Sequence, residues 1–212
     1  MDKKAIQELI AKRAAQELAG PCVANLGIGI PTLVSKFIHD ENVFFHTENG
    51  LLGVSDVDEK NIDPNVVNAG KEPVGMEIGA SFFNSAESFA MIRGSHIDVA
   101  ILGVLQVDQK GLIANWAVPG KNIMGVGGAM DLLVGAKKII VTTTHTAKDG
   151  KSKILKECTY PITSTRSVDL IITELAVFEV TEARLRCIEL MPGVTEVEVL
   201  EKTEAEFEFD LK

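Results

Sequence analysis

Hydrophobic positions along the chain follow two rhythms. Ile6, Leu9, Ile10, Ala14 and Leu18 recur every three or four residues with Lys, Gln, Glu and Arg between them. This predicts an amphipathic first helix stopped at Gly20-Pro21. CVANLGIGIP then predicts a short buried strand ending in a glycine-rich turn, and Pro31 can open a helix over PTLVSKFIHD because its missing N–H is not needed at a helix start. NVFFHTENG predicts a second strand. Residues 54–80, rich in Asp, Asn, Gly and Pro, predict irregular loop or short hairpin structure. A helix over SFFNSAESFAMIRGS is expected, capped by Ser81 or Asn84 and ended at Gly94. HIDVAILGVLQVD is a continuous apolar run, the mark of a strand covered on both faces. GLIANWAVPGK predicts a hairpin or loop strand, and GGAMDLLVGA a glycine turn into a short helix. KKIIVTTTH and VDLIITELAVFEV predict two further buried strands, and TEVEVL a last one.

Strand-like runs alternating with helical ones predict an α/β fold, an open and largely parallel sheet flanked by helices. Neither an internal repeat nor a low-complexity linker interrupts the 212 residues, so 1–212 is expected to form one domain, with enough apolar residues (46%) to fill a core. The net charge of −9 comes without a Lys/Arg cluster interleaved with aromatics, which argues against a nucleic-acid partner. Part of the acidity sits in EVEVLEKTEAEFEFD, and about 198–212 is expected to be a solvated edge or tail. Cys22, Cys158 and Cys187 are widely spaced, with no CxxC pair. They suggest buried free thiols in a reducing compartment rather than a disulfide framework or a zinc site. The N-terminus carries no apolar signal segment, and no apolar run approaches the roughly 20 residues that span a bilayer. The expectation is a cytoplasmic protein without a membrane partner.

Candidate chemistry begins at Glu48. A strand that ends in polar residues places them at the carboxyl edge of the sheet, where ligands of open α/β sheets bind. Asn49-Gly50 tolerates positive φ, so the chain can turn sharply and push the carboxylate outward. A solvated turn acid or a helix N-cap is the more frequent meaning of such a residue. Against it, apolar residues flank this turn on both sides. NLGIGIP, with Gly27 and Gly29, and GVGGAMDL, with Gly127, Gly128 and Ala129, each precede a predicted helix. Both could present backbone N–H groups to a phosphate or a developing oxyanion. Neither completes a dinucleotide fingerprint or a P-loop, and tight packing is the commoner reason for such glycines. His46 lies two residues before Glu48 on the same strand face, where it could tune a neighbour or simply be a satisfied core histidine. His39, His96 and His145 form no HxxxH pair, no GxSxG elbow is present, and Trp116 is best read as a core or interface residue. No metal site is expected.

FHTENGLLG, Phe45 to Gly53, resembles the signature of the β subunit of family I (3-oxoacid) CoA-transferases. The resemblance extends through NLGIGIPTLV, VVNAGKEP, MIRGSHIDVAILGVLQVD, GLIANWAVPGK, GVGGAMDLLVGAKKIIV and LIITELAVFEV. It implies that Glu48 is a nucleophile and that the turn around Gly127, Gly128 and Ala129 lies beside it and donates backbone N–H groups. Asn49, Gly27 and Gly29 are the further candidates for binding CoA or an oxyanion. It also implies a ping-pong exchange of CoA between an acyl-CoA and a short-chain carboxylic acid, with coenzyme A as substrate and no other cofactor. The family's α half carries a glycine-rich signature around Gly-Gly-Phe that is absent here. The chain is therefore expected to pair with a homologous α subunit, as αβ or α2β2. Two other readings remain at this stage: an acyl-CoA hydrolase on the same scaffold, and a non-catalytic binder of phosphate ligands.

Overall fold

The structure is a computed structural model that describes residues 2–58, 60, 62–121, 123 and 125–211. Of the expected domain 1–212, Met1, Glu59, Asn61, Asn122, Met124 and Lys212 lie outside the described residues. The elements run in the order α1 (Lys3–Ala15), β1 (Cys22–Leu26), a 3-10 helix (Pro31–Phe37), β2 (Val43–Thr47), β3 (Leu51–Ser55), β4 (Gly75–Phe82), α2 (Ser85–Arg93), β5 (Val99–Gly103), β6 (Gln106–Asp108), β7 (Ile113–Ala114), α3 (Ala129–Gly135), β8 (Lys138–Thr142), β9 (Ile154–Leu155), β10 (Leu170–Ile172), β11 (Ala176–Val180), β12 (Leu185–Leu190), α4 (Glu196–Lys202) and β13 (Phe207–Phe209).

Ten strands form one sheet in the order β13-β12-β11-β10-β8-β5-β1-β2-β3-β4, and β7-β6-β9 form a small second sheet. The centre, β10-β8-β5-β1-β2, is parallel throughout, and so is the β12–β13 pair. The pairings β2–β3, β3–β4, β10–β11 and β11–β12 are antiparallel. The parallel centre is apolar on both faces because helices cover both. Ile140 and Ile172 pack with Ile10 and Ala14 of α1 on one side. Ile139, Val141 and Ile171 pack with Ile92 of α2 and Leu132 and Leu133 of α3 on the other. Among the described residues, no helix is long and apolar enough to cross a membrane.

Several predicted boundaries move. α1 ends at Ala15, not at Gly20, because Glu17 and Leu18 donate back three residues and tighten the last turn. Over 54–80 the irregular loop is shorter than predicted: β3 extends to Ser55, and β4 occupies Gly75–Phe82 as an exposed edge strand. Asn84, not Ser81, caps α2, in a reciprocal capping box with Glu87. HIDVAILGVLQVD divides between β5 and β6, which belong to different sheets, and VDLIITELAVFEV folds into the β10–β11 hairpin. TEVEVL is the start of α4. Its Thr195 hydroxyl accepts from the Glu198 N–H, and of its three apolar residues only Val199 is buried. The acidic end of the chain is thus partly helix and partly the edge strand β13.

The close approach of α2 and α3 holds the second layer together. A methyl group on Gly135 would overlap the carbonyl oxygen of Ile92. Arg166 fastens the far end of α3 by donating to Leu133 O at 2.7 Å, to Lys137 O at 3.0 Å and to Ala136 O. A cation on the final carbonyls also suits the negative end of the helix. Gly135→Ala should therefore destabilise the protein by about 2 kcal/mol through overpacking. Urea unfolding checks this, and an unchanged midpoint would show that the helices can separate without loss.

Candidate active site

β2 and β3 are joined by the tight turn Glu48-Asn49-Gly50. The Gly50 N–H donates to Thr47 O at 3.0 Å and closes it. Gly50 sits at φ +117°, and a methyl group there would overlap the Phe83 carbonyl oxygen, so only glycine fits. The Phe83 N–H donates to Gly50 O at 3.0 Å, which ties the turn to the segment entering α2.

Side-chain alternation places His46 and Glu48 on the α2–α3 side of the sheet. His46 is buried. Its Nε2 lies 3.1 Å from Ser88 Oγ of α2 and its Nδ1 3.1 Å from Asn25 Nδ2 of β1, and its ring stacks on Phe83. The Asn25 amide also donates to His46 O at 3.1 Å. Because the Asn25 amide donates to Nδ1, the imidazole proton resides on Nε2 and is given to Ser88.

Glu48 is half-buried at the end of this locked strand. Among the described residues, no donor and no cation meets its carboxylate. A methyl group on Gly128 would lie 3.5 Å from Glu48 Cγ and 3.4 Å from the Phe89 ring, so the GGAMDL turn does face the acid. Gly128 is the N-cap of α3. Among the described residues the N–H groups of Gly127 and Gly128 donate to nothing, and that of Ala129 makes only a 3.4 Å contact with Val126 O. An unpartnered carboxylate thus stands against unoccupied backbone donors.

Residues 7–202 match the family model described as Coenzyme A transferase. The chain belongs to this family. It is 52% identical over 207 residues, 97% of this chain and 100% of the relative, to a succinyl-CoA:3-ketoacid coenzyme A transferase subunit of Helicobacter pylori. It is 50% identical over 202 residues, 95% of this chain and 91% of the relative, to the acetate CoA-transferase subunit beta of Haemophilus influenzae. Among solved structures it resembles an acyl-CoA transferase of Escherichia coli O157:H7, with a TM-score of 0.78 at 26% identity, over 98% of this chain but only 43% of the other.

The remaining predicted residues of this CoA-transferase chain divide. Asn49 turns away from the acid and donates to Val67 O at 2.8 Å, anchoring the loop between β3 and β4. Gly27 already donates its N–H to Ile101 O at 2.9 Å, which leaves it no free donor, whereas Gly29 is exposed at φ +96°. Trp116 is half-buried, and its indole donates to Ile162 O at 3.3 Å. Sequence reasoning passed over Ser88, Phe83 and Phe89, which carry no motif of their own. It also passed over the strain at Lys71, whose φ of +64° is unusual for a side-chain-bearing residue. Asn68 enforces that conformation: its backbone carbonyl accepts the Lys71 N–H and its side chain the Glu72 N–H.

A cavity of about 690 Å³ opens elsewhere, lined chiefly from the 3-10 helix side of the sheet by residues such as Thr32, Phe45, Thr47 and Val54. Glu48 is not in its lining. His46 is in the lining, but the Gly127–Ala129 turn that meets Glu48 is not.

Burial pushes His46 down from 6.5 to about 4. It does the same to His145, which sits between the Thr173 and Thr203 hydroxyls with Lys202 adding to the effect and Glu198 opposing it. Both are neutral in the folded protein and free to charge when unfolded, so the unfolded state binds more protons between pH 4 and 6.5. Stability should be flat above pH 7 and fall as the pH drops toward 4.5, by about 2 kcal/mol for each histidine. Urea midpoints across this range test it, and a level profile would contradict it.

Proposed function

We propose that this chain is the β subunit of a CoA-transferase that moves CoA between an acyl-CoA and a short-chain (3-oxo)carboxylic acid through a thioester on Glu48. The observation that carries this reading is the half-buried, unpartnered Glu48 carboxylate set against the Gly127–Ala129 turn. In a first step the carboxylate attacks the thioester carbonyl, forming an acyl–glutamyl anhydride and releasing CoA thiolate. The thiolate attacks the Glu48 carbonyl, which leaves a glutamyl-CoA thioester and the free carboxylate. A second carboxylate then runs both steps in reverse. No proton is transferred, so no general base is needed, and one hard exchange becomes several easier ones. Each tetrahedral oxyanion needs donors, which the free N–H groups of the glycine turn supply; one such donor is typically worth about 3 kcal/mol. Leu52, Phe83 and Phe89 lie on the acid's side of the sheet and keep water from the thioester.

The partner in this reading is a homologous α subunit, assembled as αβ or α2β2 in the cytoplasm. CoA enters as substrate, and no other cofactor and no metal is required. Relatives named for succinyl-CoA:3-ketoacid and for acetate transfer stand at similar identity, which supports a short-chain acid pair without dividing those two.

Glu48→Gln keeps the shape of the side chain and removes its nucleophilicity. In the αβ complex it should lower kcat at least about 1000-fold, a loss of about 4 kcal/mol of transition-state stabilisation. Binding of the acyl-CoA should change little. A variant keeping a tenth of the activity would refute the nucleophile. Rapid release of free CoA without acceptor acid would favour a hydrolase.

A further inference from the structure

α2 and α3 begin differently, and the difference falls on the donors that face Glu48. α2 opens with a reciprocal pair. The Asn84 side chain accepts from the Glu87 N–H at 3.0 Å, and the Glu87 carboxylate accepts from the Asn84 N–H at 3.1 Å. Both backbone donors are thus consumed by the helix's own side chains. α3 carries an acid at the equivalent place. Gly128 is its N-cap, and Asp131 is its third residue, as Glu87 is the third residue of α2. A carboxylate there is drawn to the unpaired N–H groups of the first turn. Yet among the described residues Asp131 accepts from no backbone N–H. Its Oδ1 accepts from Arg93 Nε at 2.6 Å instead.

Arg93 reaches Asp131 from the last turn of α2. Its guanidinium carbon also lies 5.5 Å from the centroid of the Phe89 ring, the ring that packs beside Gly128 and Glu48. The Arg93 side chain is 65% exposed, and an ion pair this open to solvent adds little to stability. Fold stability is therefore a weak reason for the pairing. Keeping an acid off the Gly128 N–H is a specific one.

We infer that Arg93 is a positioning residue: by holding the Asp131 carboxylate away from the Gly128 N–H, it keeps that donor open to the oxyanion formed at Glu48. This role rests on the reading of Glu48 as the nucleophile and of the Gly127–Ala129 turn as its donor. Without Arg93, Asp131 closes onto the start of its own helix, as Glu87 does in α2, and the donor is occupied before substrate arrives. The misplaced negative charge then also opposes the developing oxyanion.

The test uses the complex with a homologous α subunit. Arg93→Met removes the charge and keeps an apolar stem against Phe89. It should lower kcat at least about tenfold and leave KM for acyl-CoA within about twofold, because the donor acts in the transition state. Removing the released acid as well, in Arg93→Met with Asp131→Ala, should return kcat to within about threefold of wild type. Arg93→Lys, which can still pair with Asp131, should keep most of the activity. A double variant as slow as Arg93→Met would overturn the inference, since neither a direct effect of the Arg93 charge nor lost packing is relieved by taking Asp131 away.

Amide hydrogen exchange at Gly128 reads the same point without catalysis. It should be fast in wild type, slowed at least about tenfold in Arg93→Met, and fast again in the double variant. A protected Gly128 amide in wild type refutes the inference even if no variant folds. So does an Arg93→Met complex in which neither kcat nor this exchange changes. Exchange that follows the expected pattern while kcat stays level supports the hold on Asp131 and refutes the turn as oxyanion donor, so the two failures are told apart.

Discussion

The site depends on one backbone contact, the one between Gly50 and Phe83. No side chain fits between the hairpin tip and the strand-to-helix segment leading into α2, and the Phe83 N–H closes on the Gly50 carbonyl. That contact sets where the β2 strand ends, and hence where Glu48 stands. From Phe83 the constraint passes into α2, whose Ser88 holds the His46 ring. It then passes across the Gly135–Ile92 approach into α3, which brings Gly128 to the acid. Two positions that accept only glycine, on opposite sides of α2, therefore fix the separation between a carboxylate and the donors facing it. A rigid frame of this kind suits a reaction whose barrier falls through pre-positioned dipoles rather than through proton transfer.

Among the described residues, the polar side chains beneath Glu48 are tied to one another, with Asn25 Oδ1 left unpartnered, while the Glu48 carboxylate meets no donor. His46, Asn25 and Ser88 bond to one another and lie in the core, so they act as rivets between β1, β2 and α2. A carboxylate left half-buried without a donor forgoes the hydrogen bonds that would stabilise its charge. Structures retain such a group where a ligand completes its environment. The free N–H groups at Gly127 and Gly128 are the matching deficit on the other side of the gap.

Much of this was legible in the chain. The turn after FFHTENG, the glycine turn leading into a short helix and the parallel centre of the sheet all have local causes: Asn-Gly after a strand, Gly before an amphipathic run, and unbroken apolar segments. The resemblance carried by FHTENGLLG named the role that pattern alone left open. What escaped was decided by tertiary contacts. TEVEVL alternates like a strand, yet its Thr cap and acidic first turn favour the helix once Val199 finds the core. β4 reads as a loop because an exposed, glycine-bearing edge strand has no buried face to impose a period of two. The α2 side chains that hold the site carry no motif, because their part is set by where α2 crosses the sheet. Gly27 sits in a ligand-like sequence, but its N–H is already committed to Ile101.

The central claim is that Glu48 becomes covalently bonded to CoA. The direct measurement is to incubate the αβ complex with acyl-CoA in the absence of acceptor acid, quench, reduce with borohydride, digest, and weigh the peptides. The account predicts that the peptide containing Glu48 alone changes mass, as the CoA thioester before reduction and as the corresponding alcohol after it. An unmodified Glu48 peptide from a complex that turns over normally, or the same adduct on a different residue, would contradict it.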